Sequence, residues 1–66
     1  MGKTLNIESV QTAMREHGLN QARIAKEIGV SRAAVTKWLT LEGFPRPDKL
    51  LKLGMLLKLG FKQLVD

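Results

Sequence analysis

At 66 residues with 44% apolar side chains, the chain has room for one small globular domain and is too apolar for a disordered tail. It has no cysteine, which excludes disulfides and thiolate metal sites, and no apolar run long enough to span a membrane. The net charge is +5, and seven of the eleven basic residues follow residue 28. Positive charge favours approach to phosphate backbones, although a basic surplus also serves solubility. The polar N-terminus does not resemble a secretion signal, so we expect a cytoplasmic protein.

Apolar residues recur at helical spacing along the chain, which predicts an all-α fold. Residues 1–5 are expected to form a frayed arm. Helix 1 begins after Asn6, a good N-cap, and ends near Gly18, which can adopt a left-handed cap conformation. Its apolar stripe is predicted to contain Ile7, Val10, Ala13 and Met14. Helix 2 is capped by Asn20, and its predicted buried face consists of Ala22, Ile24, Ala25 and Ile28.

A short break separates helix 2 from helix 3. Gly29 supplies the positive φ that the turn needs, Val30 points into the core, and Ser31 caps helix 3 with its hydroxyl. Helix 3 is predicted from Arg32 to about Leu39. Its inward residues are Val35, Trp38 and Leu39. Residues 43–47 are predicted to be extended, because each proline disfavours helical geometry in the residue before it.

Helix 4 is predicted to begin at Pro47 or Asp48 and to end near Leu57, and a short fifth helix covers residues 61–65. The inward face of helix 4 is predicted to contain Leu50, Leu53, Gly54 and Leu57. Three apolar residues of helix 4, Leu51, Met55 and Leu56, lie outside that inward face, and Val65 near the C-terminus is expected to join them. An exposed apolar cluster typically marks an association surface, so these four residues are predicted to form a homodimer interface. The alternative is that Leu56 and Val65 only cover helix 1 or helix 5.

The stretch from Asn20 to Trp38 has the layout of a helix-turn-helix. From Leu19 to Leu64 the chain resembles the lambda-repressor-like, or XRE, family of Cro and phage repressors. The matching pattern is Leu19-Asn20-Gln21, Ile24-Ala25, Ile28-Gly29-Val30-Ser31, Val35-Thr36-Lys37-Trp38, Pro45-Arg46-Pro47 and Leu50 to Leu53. The resemblance implies a compact five-helix DNA-binding domain over residues 1–66, with the helix-turn-helix at helices 2 and 3. It also implies a homodimer on a palindromic double-stranded operator, with repression the usual outcome.

The family's contact positions can be transferred to this sequence. The resemblance implies that Gln21 contacts a phosphate and braces the recognition helix, and that Thr40 and Arg46 contact the backbone. The positions implied to read base edges are Ser31, Arg32 and Ala33, followed one turn later by Thr36 and Lys37. Their chemistry suits the task, because arginine can donate two hydrogen bonds to guanine and a methyl group can contact thymine. Ser31 also serves as an N-cap, and Trp38 is a core residue rather than a stacking platform.

Two segments depart from the family pattern. Leu41 stands where many members have a glycine after the tryptophan, and the chain's own glycine comes later, at Gly43. Lys58 and Gly60 stand where a cap glycine and an N-cap serine are common. We therefore expect a different end of helix 3 and a different junction between helices 4 and 5.

Other functions have less support in the sequence. His17 is the single histidine and lacks a carboxylate cluster, no triad-like arrangement is visible, and so small a domain has no walls for a substrate cleft. We expect no enzyme activity, no metal, no cofactor and no small-molecule substrate. Lys58 lies opposite Lys49 and Lys52 on helix 4, which argues against membrane binding. Two alternatives remain: an antitoxin-like or adaptor module that binds another protein, and the N-terminal DNA-binding module of a longer regulator.

Overall fold

The computed structural model describes residues 4–65, and it confirms the predicted all-α fold of five helices. The helices are α1 (Ile7–Glu16), α2 (Gln21–Ile28), α3 (Arg32–Leu39), α4 (Pro47–Leu57) and α5 (Phe61–Leu64). Within the described range, none of these helices has the length and apolar character needed to cross a membrane. Residues 43–46 between α3 and α4 have no regular structure, as the two prolines predict.

Side-chain caps fix where the first three helices begin. Each cap accepts a hydrogen bond from the backbone N–H three residues later: Asn6 from Ser9 at 3.1 Å, Asn20 from Arg23 at 2.8 Å and Ser31 from Ala34 at 3.1 Å. Such a cap stabilises a helix by about 1 kcal/mol. All three predicted N-caps are confirmed. The left-handed turns after α1 and α2 are confirmed as well, with φ of 65° at Gly18 and 85° at Gly29.

One apolar core joins the helices. Its buried members are Leu5, Val10, Ala13, Ile24, Ala25, Ile28, Val35, Trp38, Leu50, Leu53, Leu57, Leu64 and Val65. α2 packs against both α3 and α4, and α1 packs against α4 and α5. No described polar or charged residue is buried. The inward faces predicted for α3 and α4 are confirmed, although Leu39 is only partly buried.

The two ends of the described chain are tied together. Leu5 forms an isolated antiparallel bridge with Val65, and the backbone N–H of Asn6 donates to the carbonyl of Leu64 at 2.9 Å. Leu5 is only 2% exposed and Val65 only 5%. The predicted frayed arm is therefore wrong at Leu5, because its side chain completes the core; residues 1–3 of that arm lie outside the described residues.

Three other expectations need correction. α5 ends at Leu64, and Val65 is extended because it pairs with Leu5. The expectation that Val65 joins an exposed cluster is wrong for the same reason. Ala22 is exposed, since the buried arc of α2 is centred between Ile24 and Ala25 and a residue three positions before Ala25 falls beyond its edge.

Replacing Leu5 by alanine is expected to lower the free energy of unfolding by about 2–4 kcal/mol, because it leaves a cavity in the core. Denaturant unfolding measures the loss. Leu41→Ala is a matched control, since it removes the same atoms from a side chain that is 54% exposed and is expected to cost well under about 1 kcal/mol. Equal, small effects of both substitutions would show that Leu5 belongs to a frayed arm after all.

Candidate nucleic-acid interface

The turn between α2 and α3 sets the direction in which α3 leaves the core. α2 ends at Gly29, and the N–H groups of Gly29 and Val30 both donate to the carbonyl of Ala25, at 2.8 and 3.0 Å. Val30 is partly buried against the core, as predicted from the sequence. The hydroxyl of Ser31 then caps α3. Since both the turn and the cap are anchored, the first turn of α3 starts from a fixed position.

α3 has one buried and one exposed face. Val35 is 1% exposed and Trp38 is 7% exposed, so these two side chains fix the rotation of the helix about its axis. The residues left exposed, here called the α3 outer face, are Arg32, Ala33, Thr36, Lys37 and Thr40. On the helical wheel the two cations lie at the edges of this face, with the alanine and the threonines between them. The structure thus brings five predicted contact residues together on one surface.

The cations of this surface are not neutralised by neighbouring carboxylates. Among residues 4–65 a single ion pair is present, between Arg23 and Glu27 of α2 at 2.9 Å. Arg32 and Lys37 therefore carry free positive charges. Arg32 also lies in the first turn of α3, where the helix dipole disfavours a cation. The residue gains no stability from this position, which points to a role outside folding.

A hydrogen bond joins the first turn of α2 to the middle of α3. The Thr36 hydroxyl donates to Oε1 of Gln21 at 2.6 Å, and the carbonyl of Arg32 lies 3.2 Å from the same hydroxyl. Gln21 is half-buried, whereas Thr36 is exposed. The predicted bracing of the recognition helix by Gln21 is confirmed by this bond. The side-chain amide nitrogen of Gln21 has no hydrogen-bond partner among the described residues, so it can still donate outward.

The two remaining polar positions differ in how they are held. The Thr40 hydroxyl donates to the carbonyl of Thr36 at 3.0 Å, with the carbonyl of Lys37 at 3.3 Å, so its proton is used at the end of α3. Arg46 is exposed in an extended conformation between Pro45 and Pro47, and its side chain makes no cap hydrogen bond to α4. The Arg46 guanidinium is therefore available to an external partner, whereas Thr40 must rotate before it can donate.

Comparison with known proteins identifies the family. A family model described as helix-turn-helix matches residues 10–64, which is most of the chain. The chain belongs to the XRE, or lambda-repressor-like, helix-turn-helix family. This is a DNA-binding rather than an enzymatic family, so the chain is a DNA-binding helix-turn-helix protein with double-stranded DNA as its partner.

A solved structure shares the fold. The crystal structure of a "putative DNA-binding protein" from Bacteroides fragilis superposes with a TM-score of 0.80 at 22% identity, covering 98% of this chain and 100% of that chain. At this identity the likeness concerns the fold alone. No curated protein matches the chain in sequence.

Two of the residues that depart from the family pattern, Leu41 and Lys58, each end a helix. Both adopt the left-handed conformation, although neither is glycine. Leu41 has a φ of 62°; its N–H donates to Trp38 and the next N–H donates to Lys37 at 2.8 Å, so α3 ends in a Schellman motif. Lys58 has a φ of 58° and ends α4 in the same way. The junctions expected to differ therefore keep the usual geometry. What differs is the strain that a side chain brings to it.

Exposed apolar side chains meet in a groove between α4 and α5. Leu51 is 67% exposed, Met55 71% and Phe61 56%, and they line a groove of about 680 Å³. Two of the four predicted dimerisation residues, Leu51 and Met55, lie here. Leu56 is half-buried on another side of α4, next to Ile28. Sequence reasoning missed Phe61, since a single aromatic residue in a four-residue helix carries no periodic signal.

Within residues 4–65, no three histidine or acidic side chains come close enough together to hold a metal ion.

Replacing Leu41 by glycine is expected to raise the free energy of unfolding by about 1 kcal/mol, because glycine adopts positive φ without a Cβ clash. Thermal or denaturant unfolding measures the gain. Leu41→Ala is the control, since it shortens the side chain but keeps the Cβ atom. If glycine and alanine had the same effect, backbone strain at Leu41 would be refuted.

Proposed function

We propose that this protein is a sequence-specific transcriptional regulator, a repressor, that inserts α3 into the major groove of an operator. The observation that carries the proposal is the α3 outer face, which is exposed and bears two free cations while Val35 and Trp38 hold the helix from behind. The major groove of B-DNA admits an α-helix, and its base edges are read by side chains of this kind.

Base reading is assigned to the α3 outer face. Arg32 has the donors for a bidentate contact with guanine O6 and N7, which provides about 1–3 kcal/mol of discrimination. Ala33 offers a methyl group to a thymine methyl, and Lys37 reaches a guanine or a phosphate at the other edge. Ser31, although it caps α3, keeps its hydroxyl proton for an outside acceptor, because the cap bond uses it only as an acceptor.

Phosphate contacts are assigned to the flanks of the motif. The free amide nitrogen of Gln21 lies in the first turn of α2, where the backbone N–H groups and the helix dipole also favour an anion. Arg46 supplies a charge-assisted contact beyond α3, and Thr40 supplies a further one after rotation of its hydroxyl. Such contacts orient the protein on the duplex without specifying sequence.

Selection of bound duplexes from a random pool tests the function. The expected product is a palindromic site whose half-sites lie one helical turn, about 34–36 Å, apart. Affinity for that site is expected to fall steeply with salt, since each phosphate contact releases counterions. Recovery of unrelated sequences, bound no more tightly than random DNA, would contradict the proposal.

Two arginine substitutions separate base reading from backbone binding. Arg32→Ala is expected to flatten the preference at one base pair of each half-site, at a cost of about 1–3 kcal/mol for the preferred site. Arg46→Ala is expected to lower affinity for preferred and random DNA equally and to reduce the steepness of the salt dependence. Competition binding at several salt concentrations measures both. Equal losses on both DNAs for Arg32→Ala would remove its assignment to base reading.

The same regulator is proposed to act as a homodimer through α4. Asp48, Leu51 and Met55 follow one another on α4 at intervals of three and four residues, and Lys58, which ends the helix, lines the same groove as Leu51 and Met55. These four residues form one seam along α4. The two apolar side chains of this α4 seam are the most exposed of the large hydrophobic residues in the described chain. A second copy is the favoured occupant because the seam is complementary to itself.

That complementarity comes from the order of charges. When two α4 helices pair antiparallel about a two-fold axis, Leu51 faces Met55 of the second copy, and Asp48 faces its Lys58. Each seam thus presents its acid to the other's base. With the described residues measuring 30 × 22 × 20 Å, two copies side by side are also of a size to place equivalent helices about one DNA turn apart.

Charge reversal tests this pairing. Asp48→Lys alone and Lys58→Asp alone are each expected to weaken dimerisation roughly tenfold, because each places like charges opposite one another twice per dimer. The double variant is expected to restore it. Lys49→Asp, on the other side of α4, is the control and should leave dimerisation unchanged. Sedimentation equilibrium measures the dissociation constants.

Sedimentation also decides between the dimer and a second candidate. If the two substitutions weakened dimerisation additively in the double variant Asp48→Lys/Lys58→Asp, the antiparallel register would be ruled out. A monomer at all concentrations would instead favour an adaptor or antitoxin-like module, whose α4–α5 groove binds a different protein.

A further inference from the structure

The hydroxyl proton of Thr36 is directed into the protein. Its oxygen lies 2.6 Å from Oε1 of Gln21 and 3.2 Å from the carbonyl oxygen of Arg32. Both of these atoms can only accept hydrogen bonds. The single hydroxyl proton therefore has two internal acceptors to choose between, although Thr36 itself is exposed on the α3 outer face.

The length of the bond to Gln21 supports this direction. Hydrogen bonds from a hydroxyl to an oxygen have a mode near 2.7–2.8 Å, whereas those from an amide nitrogen are longer, at about 2.9–3.0 Å. A separation of 2.6 Å thus fits a hydroxyl donor and a carbonyl acceptor. The oxygen of Thr36 keeps its lone pairs, so toward an outside partner it acts as an acceptor only.

We propose that Thr36 reads an A·T base pair, and that Gln21 acts as the positioning residue that gives it this preference. The inference rests on the proposed insertion of α3 into the major groove. In that groove adenine offers the N6 amino donor, and thymine offers a methyl group. An acceptor-only hydroxyl suits the first, and the Thr36 methyl suits the second. A G·C pair also presents an amino donor, N4 of cytosine, but it has no methyl group beside that donor, and for guanine N7 and O6 Thr36 has no proton left.

This assignment makes Thr36 the chemical opposite of Arg32. The guanidinium has donors and no acceptor, so it selects guanine, while Thr36 one turn later selects a pair that presents a donor and a methyl group. The two residues lie four positions apart on the same face of α3.

The test compares bound-sequence selections for the wild-type protein and four variants. Thr36→Ala locates the base pair concerned, since it flattens the preference at that position alone. The wild-type preference there is expected to be A·T. Thr36→Val keeps the methyl group and is expected to retain part of the preference. Gln21→Leu leaves the Thr36 hydroxyl only the longer contact with the Arg32 carbonyl, at 3.2 Å, so its proton can turn outward more easily. This variant is expected to reduce the ratio of A·T to G·C at this position roughly three- to tenfold.

Gln21→Glu is the matched control. It keeps an acceptor for the Thr36 hydroxyl, so the A·T preference is expected to persist, while overall affinity falls because a carboxylate approaches the phosphates. A preference for G·C at the position that Thr36→Ala flattens would overturn the inference. So would an unchanged preference at every position in Thr36→Ala or in Gln21→Leu. In each of these cases an enriched operator still appears, so the proposed function survives.

A measurement without DNA tests the bond itself. The losses in melting temperature caused by Thr36→Val and Gln21→Leu are expected to be non-additive in the double variant, because both remove the same hydrogen bond. Additive losses would overturn the inference whatever the DNA selections show. Failure to enrich any sequence would contradict the proposed function and this inference together, whereas a non-additive cycle would still establish the bond.

Discussion

The position of α2 between α3 and α4 is the constraint on which the rest of the structure depends. Ile24, Ala25 and Ile28 are all buried, and this one face packs against both neighbouring helices. α3 is therefore held by α2 rather than by α4, and any motion of α2 moves the proposed DNA-reading surface. In a dimer joined through α4, the distance between the two α3 helices likewise depends on how α2 packs between α3 and α4.

Burial decides the orientation of α3 against its own local preferences. An eight-residue helix is marginal in water, and a cation in its first turn costs a further 0.3–1 kcal/mol or so. Burial of Val35 and Trp38 contributes about 1.5–3 kcal/mol each, which outweighs that cost. Because these two residues fix the rotation of the helix, all the remaining polar side chains of α3 face outward together. The outer face is thus a consequence of core packing.

The sequence predicted features that arise within one or two helical turns. The caps at Asn6, Asn20 and Ser31 and the turn at Gly29 depend on neighbouring residues only, and all were confirmed. One error, at Ala22, is local and concerns the width of the buried arc of α2, whereas the errors at Leu5 and Val65 concern contacts distant in sequence. Leu5 has no periodic partner nearby, and only the folded chain shows that it meets Val65. The bond from Thr36 to Gln21 joins residues fifteen apart, and although bracing was expected, its donor and acceptor could be assigned only from the structure.

The hydrogen-bonding character of the α3 outer face depends on which of its hydroxyl protons are already donated to acceptors within the protein. The hydroxyls of Thr36 and Thr40 both donate to acceptors within the protein, so the middle of the face can accept hydrogen bonds but has no proton directed outward. Its edges, Arg32 and Lys37, can donate but not accept. Rotating one hydroxyl outward breaks an internal hydrogen bond, and the free energy lost in this way offsets part of the free energy gained from a new contact with DNA. The proposed base selectivity of this face therefore depends on the hydrogen bonds behind the surface as well as on the side chains that compose it.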